Sequence, residues 1–174
     1  MKFPDVPVTA GVRALRAASV DFVPLLFEYV ERGGARHSAE ALGVPEHAVV
    51  KTLVMEAKGR GGAPTALLVL MHGDREVSTR ELARQIGARE VGPVSAAKVE
   101  TLTGYVPGGV SPFGTRKALP VYVEESVLAL DAIHINGGKR GFLVRISPVD
   151  LIRVLAPVAV KVAIERRDRS SASD

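Results

Sequence analysis

Along this chain apolar residues come in short runs closed by glycine, proline or charge, a pattern that predicts more strands than long helices. In the alanine-rich segment 9–19, Val12 and Leu15 stand three apart, which predicts a helix. FVPLLFEYV (22–30) is extended, and Pro24, which lacks an N–H, assigns it to a sheet edge. After the break at ERGG (31–34), a short helix over 38–42 is predicted, with Ser38 as cap and Gly43 as stop. VVKTLVME (49–56) and TALLVLM (65–71) are strands joined by the turn KGRGGAP, and the second is apolar enough to be central. HGD (72–74) turns the chain. Ser78 and Glu81 then have capping-box spacing ahead of a helix that carries Leu82 and Ile86 and stops at Gly87. A second helix covers 95–103, and strands follow at 119–124, 132–135 and 142–146. Ser147 and Pro148 open a helix with Leu151, Val154 and Leu155 on its apolar face, and a strand over 158–164 closes the pattern. Strands parted by glycine turns rather than crossover helices point to α/β: one compact domain with a mixed, curved, largely antiparallel sheet and surrounding helices. The domain is expected over 1–165, with a polar tail over 166–174.

Composition narrows the chemistry. A length of 174 residues suits one domain. No long apolar run predicts a membrane span and no leader pattern opens the chain, so the expected location is cytoplasmic. Without cysteine there is no disulfide, thiolate nucleophile or cysteine-based zinc site. His37, His47, His72 and His134 form neither HxH nor HExxH, and no metal or other cofactor is expected. The net charge of +4 permits a polyanionic partner, while aromatics at 5% with no tryptophan disfavour a base-stacking surface. Arg166, Arg167 and Arg169 read as a solubilising run in the tail.

Three features carry candidate chemistry. Lys51 lies inside a branched strand, where its ammonium either snorkels to solvent or enters a cleft to bind a carbonyl or phosphate oxygen. GYVPGGVSPFG (104–114) is either a plain turn or a loop that fixes peptide groups around a ligand. Its Ser111 could offer a hydroxyl, but no GxSxG elbow surrounds it. INGGKRG (135–141) is either a tight hairpin or an anion seat of amides with Lys139 and Arg140. Backbone groups and one lysine suffice for hydrolysis of an activated ester, which needs orientation and carbonyl polarisation more than a protein nucleophile.

KTL (51–53), GYVPGGVSPFG (104–114), LPVYVEES (119–126) and INGGKRG (135–141) together resemble the YbaK/prolyl-tRNA editing family in order and spacing, over about residues 8–165. The resemblance implies a single α/β editing domain that acts in trans on mischarged tRNA, chiefly cysteinyl-tRNA(Pro) or alanyl-tRNA(Pro). It places the catalytic set at Lys51, Gly108, Gly109 and Ser111. Substrate contacts fall on Thr52, Phe27, Tyr29, Pro112, Asn136, Gly137, Gly138, Lys139 and Arg140, with prolyl-tRNA synthetase as a possible partner. The implied mechanism is substrate-assisted, through the terminal ribose hydroxyl or a cysteine thiol, without metal. The alternative within the same fold is a non-catalytic protein that binds tRNA or a synthetase. Two departures bear on amino-acid specificity. Phe27 stands where some relatives have tyrosine, the nearest hydroxyl being Tyr29, and Phe142, Leu143 and Val144 stand where the same relatives carry an acid.

Overall fold

A computed structural model describes residues 5–167 and arranges them around an eight-stranded sheet. In chain order the elements are α1 (Ala10–Ala17), β1 (Val23–Leu26), α2 (Gly34–Leu42), β2 (Val49–Lys58), β3 (Thr65–His72), β4 (Arg75–Val77), α3 (Thr79–Ile86), β5 (Glu90–Pro93), α4 (Ala96–Thr103), β6 (Val121–Glu124), β7 (Ile133–Lys139), β8 (Phe142–Ile146), α5 (Pro148–Leu155), β9 (Val158–Val160) and β10 (Ala163–Glu165). Local chemistry explains most of the helix ends. The hydroxyls of Thr9, Ser78, Ser95 and Ser147 each accept a first-turn N–H, from Val12, Glu81, Lys98 and Val149. Gly43, Gly87 and Gly104 stop their helices in the left-handed region. Ser38 is no cap: α2 begins four residues earlier at Gly34, and the Ser38 hydroxyl donates to the Ala35 carbonyl. The capping box at α3 is half made, because the Glu81 carboxylate accepts from Arg84 and Gln85 instead of reaching back.

The sheet order is β1-β8-β7-β2-β3-β6-β9, with β5 paired to the far end of β2. The pairs β1/β8, β7/β8, β2/β3 and β2/β5 are antiparallel, and β2/β7, β3/β6 and β6/β9 are parallel. This is the mixed, largely antiparallel α/β domain expected, with β1 on an edge and β3 in the middle. Leu67, Leu68, Val69, Leu70 and Met71 are all buried, each contributing about 1.5–3 kcal/mol. One face packs Val50, Leu70, Ile133, Ile135 and Phe142 against α1 and α5 through Val12, Leu15 and Leu151. The other packs Met55, Leu67, Val69 and Met71 against Leu82 and Ala83 of α3 and against Val160 and Val162.

The last strand departs from expectation. Residues 158–164 break into β9, which extends the main sheet, and β10, which leaves it to pair with β4. The buried Glu124 carboxylate causes the break by accepting the N–H groups of Val162 and Ala163, each at 2.7 Å. β4 and β5 have no branched run to announce them and were not foreseen.

One irregularity positions the site. β7 pairs with β2 only at Val49↔His134 and Val50↔Ile135, and β5 joins β2 from Met55 onward. Among the described residues, Lys51, Thr52 and Leu53 therefore have β3 on one side and no strand on the other.

Candidate functional site

A cavity of about 470 Å³ opens at this gap. Its size lies within the range of small-molecule sites. Of the residues expected to form a site, Phe27, Tyr29, Lys51, Thr52, Gly108, Asn136 and Arg140 line it. They come from four separate stretches of chain: the segment after β1, the start of β2, the loop before β6 and the β7–β8 hairpin.

The loop and the hairpin hold each other. A register shift between Asn136 and Lys139 bulges the hairpin, and Gly138 takes φ +106°. The Asn136 side-chain oxygen accepts from Gly138 N at 2.7 Å and Lys139 N at 3.1 Å, while its amide donates to the Gly108 carbonyl at 3.3 Å. Arg140 Nε donates to the Pro107 carbonyl at 2.9 Å, and the guanidinium lies 5.1 Å from the centre of the Tyr29 ring. Glycine is required at two points of this wall. Gly108 has φ +86° and a Cβ there would stand 2.9 Å from the Tyr29 hydroxyl; Gly141 has φ +76° and its Cβ would stand 2.6 Å from the Phe27 carbonyl.

Lys51 supplies the opposite flank. It is half-buried, and its ammonium donates to the Arg75 carbonyl of β4. Burial lowers its pKa below the usual lysine value, and the like charge of Arg166 lowers it further, against the pull of Glu76, Glu46 and Asp74. Beside it, the buried Thr52 hydroxyl has no hydrogen-bond partner within the protein.

Other expected residues face elsewhere. Ser111 is completely buried, and its Oγ accepts from Phe113 N at 3.1 Å, so the hydroxyl serves its own loop and cannot meet a substrate in this cavity. Gly109 backs onto the main chain of Lys139 and Arg140, where a Cβ would lie 2.9 Å from Arg140 N. Pro112 lines a second, apolar cleft of about 290 Å³ that includes Phe113, Leu119 and Leu155. Gly137 lies under the Phe142 ring and Gly138 against Tyr105. Lys139 is exposed and does not line the cavity. These glycines shape the wall from behind.

His37 lines the cavity without having been singled out; its Nε2 lies 2.7 Å from the Glu28 carbonyl and its ring 5.9 Å from that of Phe27. No local spacing signals this, since α2 carries it there. Arg166, expected in a solvated tail, instead pairs with Glu46 and donates to the Gly73 carbonyl at 2.7 Å. Arg167 is exposed, and Arg169 lies outside the described residues.

His47, His72 and Asp74 come within 4.8 Å of one another through their donor atoms. The two rings stack at 3.7 Å with a 9° tilt, so their in-plane lone pairs run parallel rather than converging on an ion. His72 Nδ1 donates to the His47 carbonyl and Nε2 accepts from Ser126, each at 2.7 Å, while His47 Nδ1 meets Asp74 at 2.8 Å. The arrangement is a hydrogen-bonded stack that braces the β3–β4 turn. No described helix is long and apolar enough to cross a membrane.

The aminoacyl-tRNA editing domain profile matches residues 31–154. The chain is 32% identical over 114 residues to a proposed Cys-tRNA(Pro)/Cys-tRNA(Cys) deacylase, EbsC, of Enterococcus faecalis, covering 66% of this chain and 67% of the relative. It is 33% identical over 104 residues to a proline–tRNA ligase of Stenotrophomonas maltophilia, covering 60% of this chain and only 18% of the ligase. Among solved structures, a proposed trans-editing enzyme for prolyl-tRNA synthetase superposes with a TM-score of 0.75 at 25% identity, over 91% of this chain and 99% of the other. The hypothetical protein APE2540 shares the fold, with a TM-score of 0.79 at 24% identity over 90% of this chain and 100% of the other.

Proposed function

The chain belongs to the aminoacyl-tRNA editing domain family, and we propose from that premise that it hydrolyses the aminoacyl ester of mischarged tRNA, acting in trans. The observation that carries the reading is the convergence of Lys51, the Gly108 loop and the Asn136–Arg140 hairpin on one cavity. The aminoacyl group enters that cavity. Lys51 binds an oxygen of the terminal nucleotide, its phosphate or its ester, and Arg140 adds a second cation at the rim. The peptide groups around Gly108, held in place by Asn136 and Arg140, orient the ester and support charge on its carbonyl oxygen. Water attacks the carbonyl carbon, assisted by the free hydroxyl of the terminal ribose. The bond to the ribose oxygen breaks, that oxygen takes the proton, and free amino acid and tRNA leave. For a cysteinyl ester the substrate thiol can attack instead: the C–S bond forms as the bond to the ribose oxygen breaks, that oxygen takes the thiol proton, and cysteine leaves as a thiolactone that water then opens.

Cysteinyl-tRNA(Pro) and alanyl-tRNA(Pro) are the substrates we put first. The EbsC relative is named for the cysteinyl ester, and the ligase relatives carry the matched segment within a proline enzyme. Prolyl-tRNA synthetase is the corresponding partner. We place the working domain at 1–165 and read 166–174 as a tail, of which Arg166 is tied to the domain.

Incubation with a panel of charged tRNAs tests the reading. Release of amino acid from one or both of these substrates is expected, with Lys51→Ala slower by about 100-fold. Binding of the panel without release would replace the enzyme by a binding protein, and full activity in Lys51→Ala would remove the lysine from the mechanism.

A further inference from the structure

Lys51 is received by a carbonyl that a remote part of the chain sets in place, and we infer that residues 161–166 form a clamp on Lys51, with Arg166 as its positioning residue. The inference rests on the role proposed above for that lysine. The ammonium donates to the Arg75 carbonyl in β4. Among the described residues, β4 has no partner in the main sheet and pairs only with β10, from Ala163↔Val77 to Glu165↔Arg75. The carbonyl that accepts the lysine is therefore located by β10.

Side chains of other elements fix β10 in turn. Glu124, only 2% exposed, gives its carboxylate to Val162 N and Ala163 N. A carboxylate is tolerated at such a depth only when it accepts bonds of this kind. Gln85 of α3 exchanges two hydrogen bonds with the Lys161 main chain, at 2.9 and 3.1 Å, and Ser78 N donates to the Val162 carbonyl at 2.8 Å. Beyond β10, Arg166 joins Glu46 to the Gly73 carbonyl and so ties the β3–β4 turn to the segment before β2. The segment 161–166 itself lies past residue 154, where the family match ends, while its partners Glu46, Gly73, Ser78, Gln85 and Glu124 lie within the match.

The clamp also sets the charge around the amine. Four charged groups act on it: Arg166 after β10, Glu76 in β4, Glu46 before β2 and Asp74 in the turn. Arg166 disfavours the ammonium and the three carboxylates favour it. A more acidic ammonium is a stronger hydrogen-bond donor toward an ester or phosphate oxygen. Arg166 thus braces the turn that leads into β4, where the lysine's partner lies, and sharpens the lysine as a donor without touching substrate itself.

Three variants of the full chain test the clamp: Arg166→Met, Arg166→Lys and Glu46→Gln. Lys51 titration is followed by NMR on protein carrying isotope-labelled lysine, with the Lys51 signal assigned by its loss in Lys51→Ala. Charged-tRNA hydrolysis is measured on the same preparations. Arg166→Met is expected to raise the Lys51 midpoint and to lower kcat about ten- to a hundred-fold, with KM within about twofold. Glu46→Gln is expected to move the midpoint the opposite way, which a merely structural loss would not do. Arg166→Lys, which keeps the charge, is expected to hold the midpoint and recover most of kcat. An unmoved midpoint in Arg166→Met, or a rise in KM at unchanged kcat, overturns the clamp. If Lys51→Ala leaves hydrolysis intact, the role of the lysine fails, while the NMR midpoints still decide whether Arg166 acts on it.

Discussion

On one side of the cavity Asn136 and Arg140 reach across to the carbonyls of Gly108 and Pro107; on the other Lys51 reaches to the carbonyl of Arg75. Both flanks end in a side chain bonded to a peptide group, yet they are built differently. The first is backbone packed closely enough that glycine is required where the loop and the hairpin turn meet Tyr29 and Phe27. The second is a group of charges assembled from β2, the β3–β4 turn and the segment after β10. A wall of packed backbone is sensitive to added volume, and a seat of charges is sensitive to added or removed charge. The two flanks should therefore fail in different ways.

The largest effect is expected on the packed wall. Gly141→Ala places a methyl group against the Phe27 carbonyl at a positive φ and should cost about 2–4 kcal/mol in denaturant unfolding. It should also lower hydrolysis, because Phe27 N donates to the Gly141 carbonyl and the two move together. A Gly141→Ala protein of unchanged stability would mean that the wall has slack the packing does not show. Ser111→Ala separates structure from chemistry in the same loop. Losing the bond from Phe113 N should cost about 1 kcal/mol, while hydrolysis in the folded protein stays within about twofold. A hundred-fold loss of rate would return Ser111 to the catalytic set.

The smallest effect expected is on acid stability, and it contrasts a histidine behind the charged flank with the buried His134 of β7, which pairs with Val49. Burial holds the pKa of His72 below 6.5, and burial with the nearby Arg145 does the same for His134. As the pH falls through about 6.5 the unfolded chain takes up these protons and the folded chain does not, so stability should decline from about pH 6.5 downward. His134 Nδ1 is buried without a partner, whereas both nitrogens of His72 are bonded. His134→Leu should therefore remove part of the decline with little cost at neutral pH, as read from denaturant midpoints across pH. A decline unchanged in that variant would assign the acid sensitivity to His72 or to other groups.

The fold was legible where the signal is local. Serine and threonine caps, glycine stops and the apolar run of β3 announce their elements through nearest-neighbour chemistry. Two short strands escaped, because β4 and β5 are defined by partners rather than by composition. The split of the last strand escaped for the same reason, since Glu124, which forces it, lies 38 residues from Val162. Lys51, Gly108, Asn136 and Arg140, which residue type and motif single out, line one cavity. Ser111 and Pro112 belong to the same motif but face inward and into the second cleft, because the chain bends at 112–114 and the Ser111 hydroxyl turns back to accept from Phe113 N.

The amino-acid sequence alone decides where backbone must bend, where helices begin and stop, and which segment is buried in the sheet, because these depend on each residue's own conformational limits and on near neighbours. It also marks Lys51 as unusual in its strand. What the lysine touches is decided only by the tertiary structure. Arg75 lies 24 residues away, and Arg166, which ties the turn to Glu46, lies 120 residues from that partner. Contacts at such separations depend on strand order and on a short pair outside the main sheet, and electrostatic coupling follows distance in space rather than position along the chain.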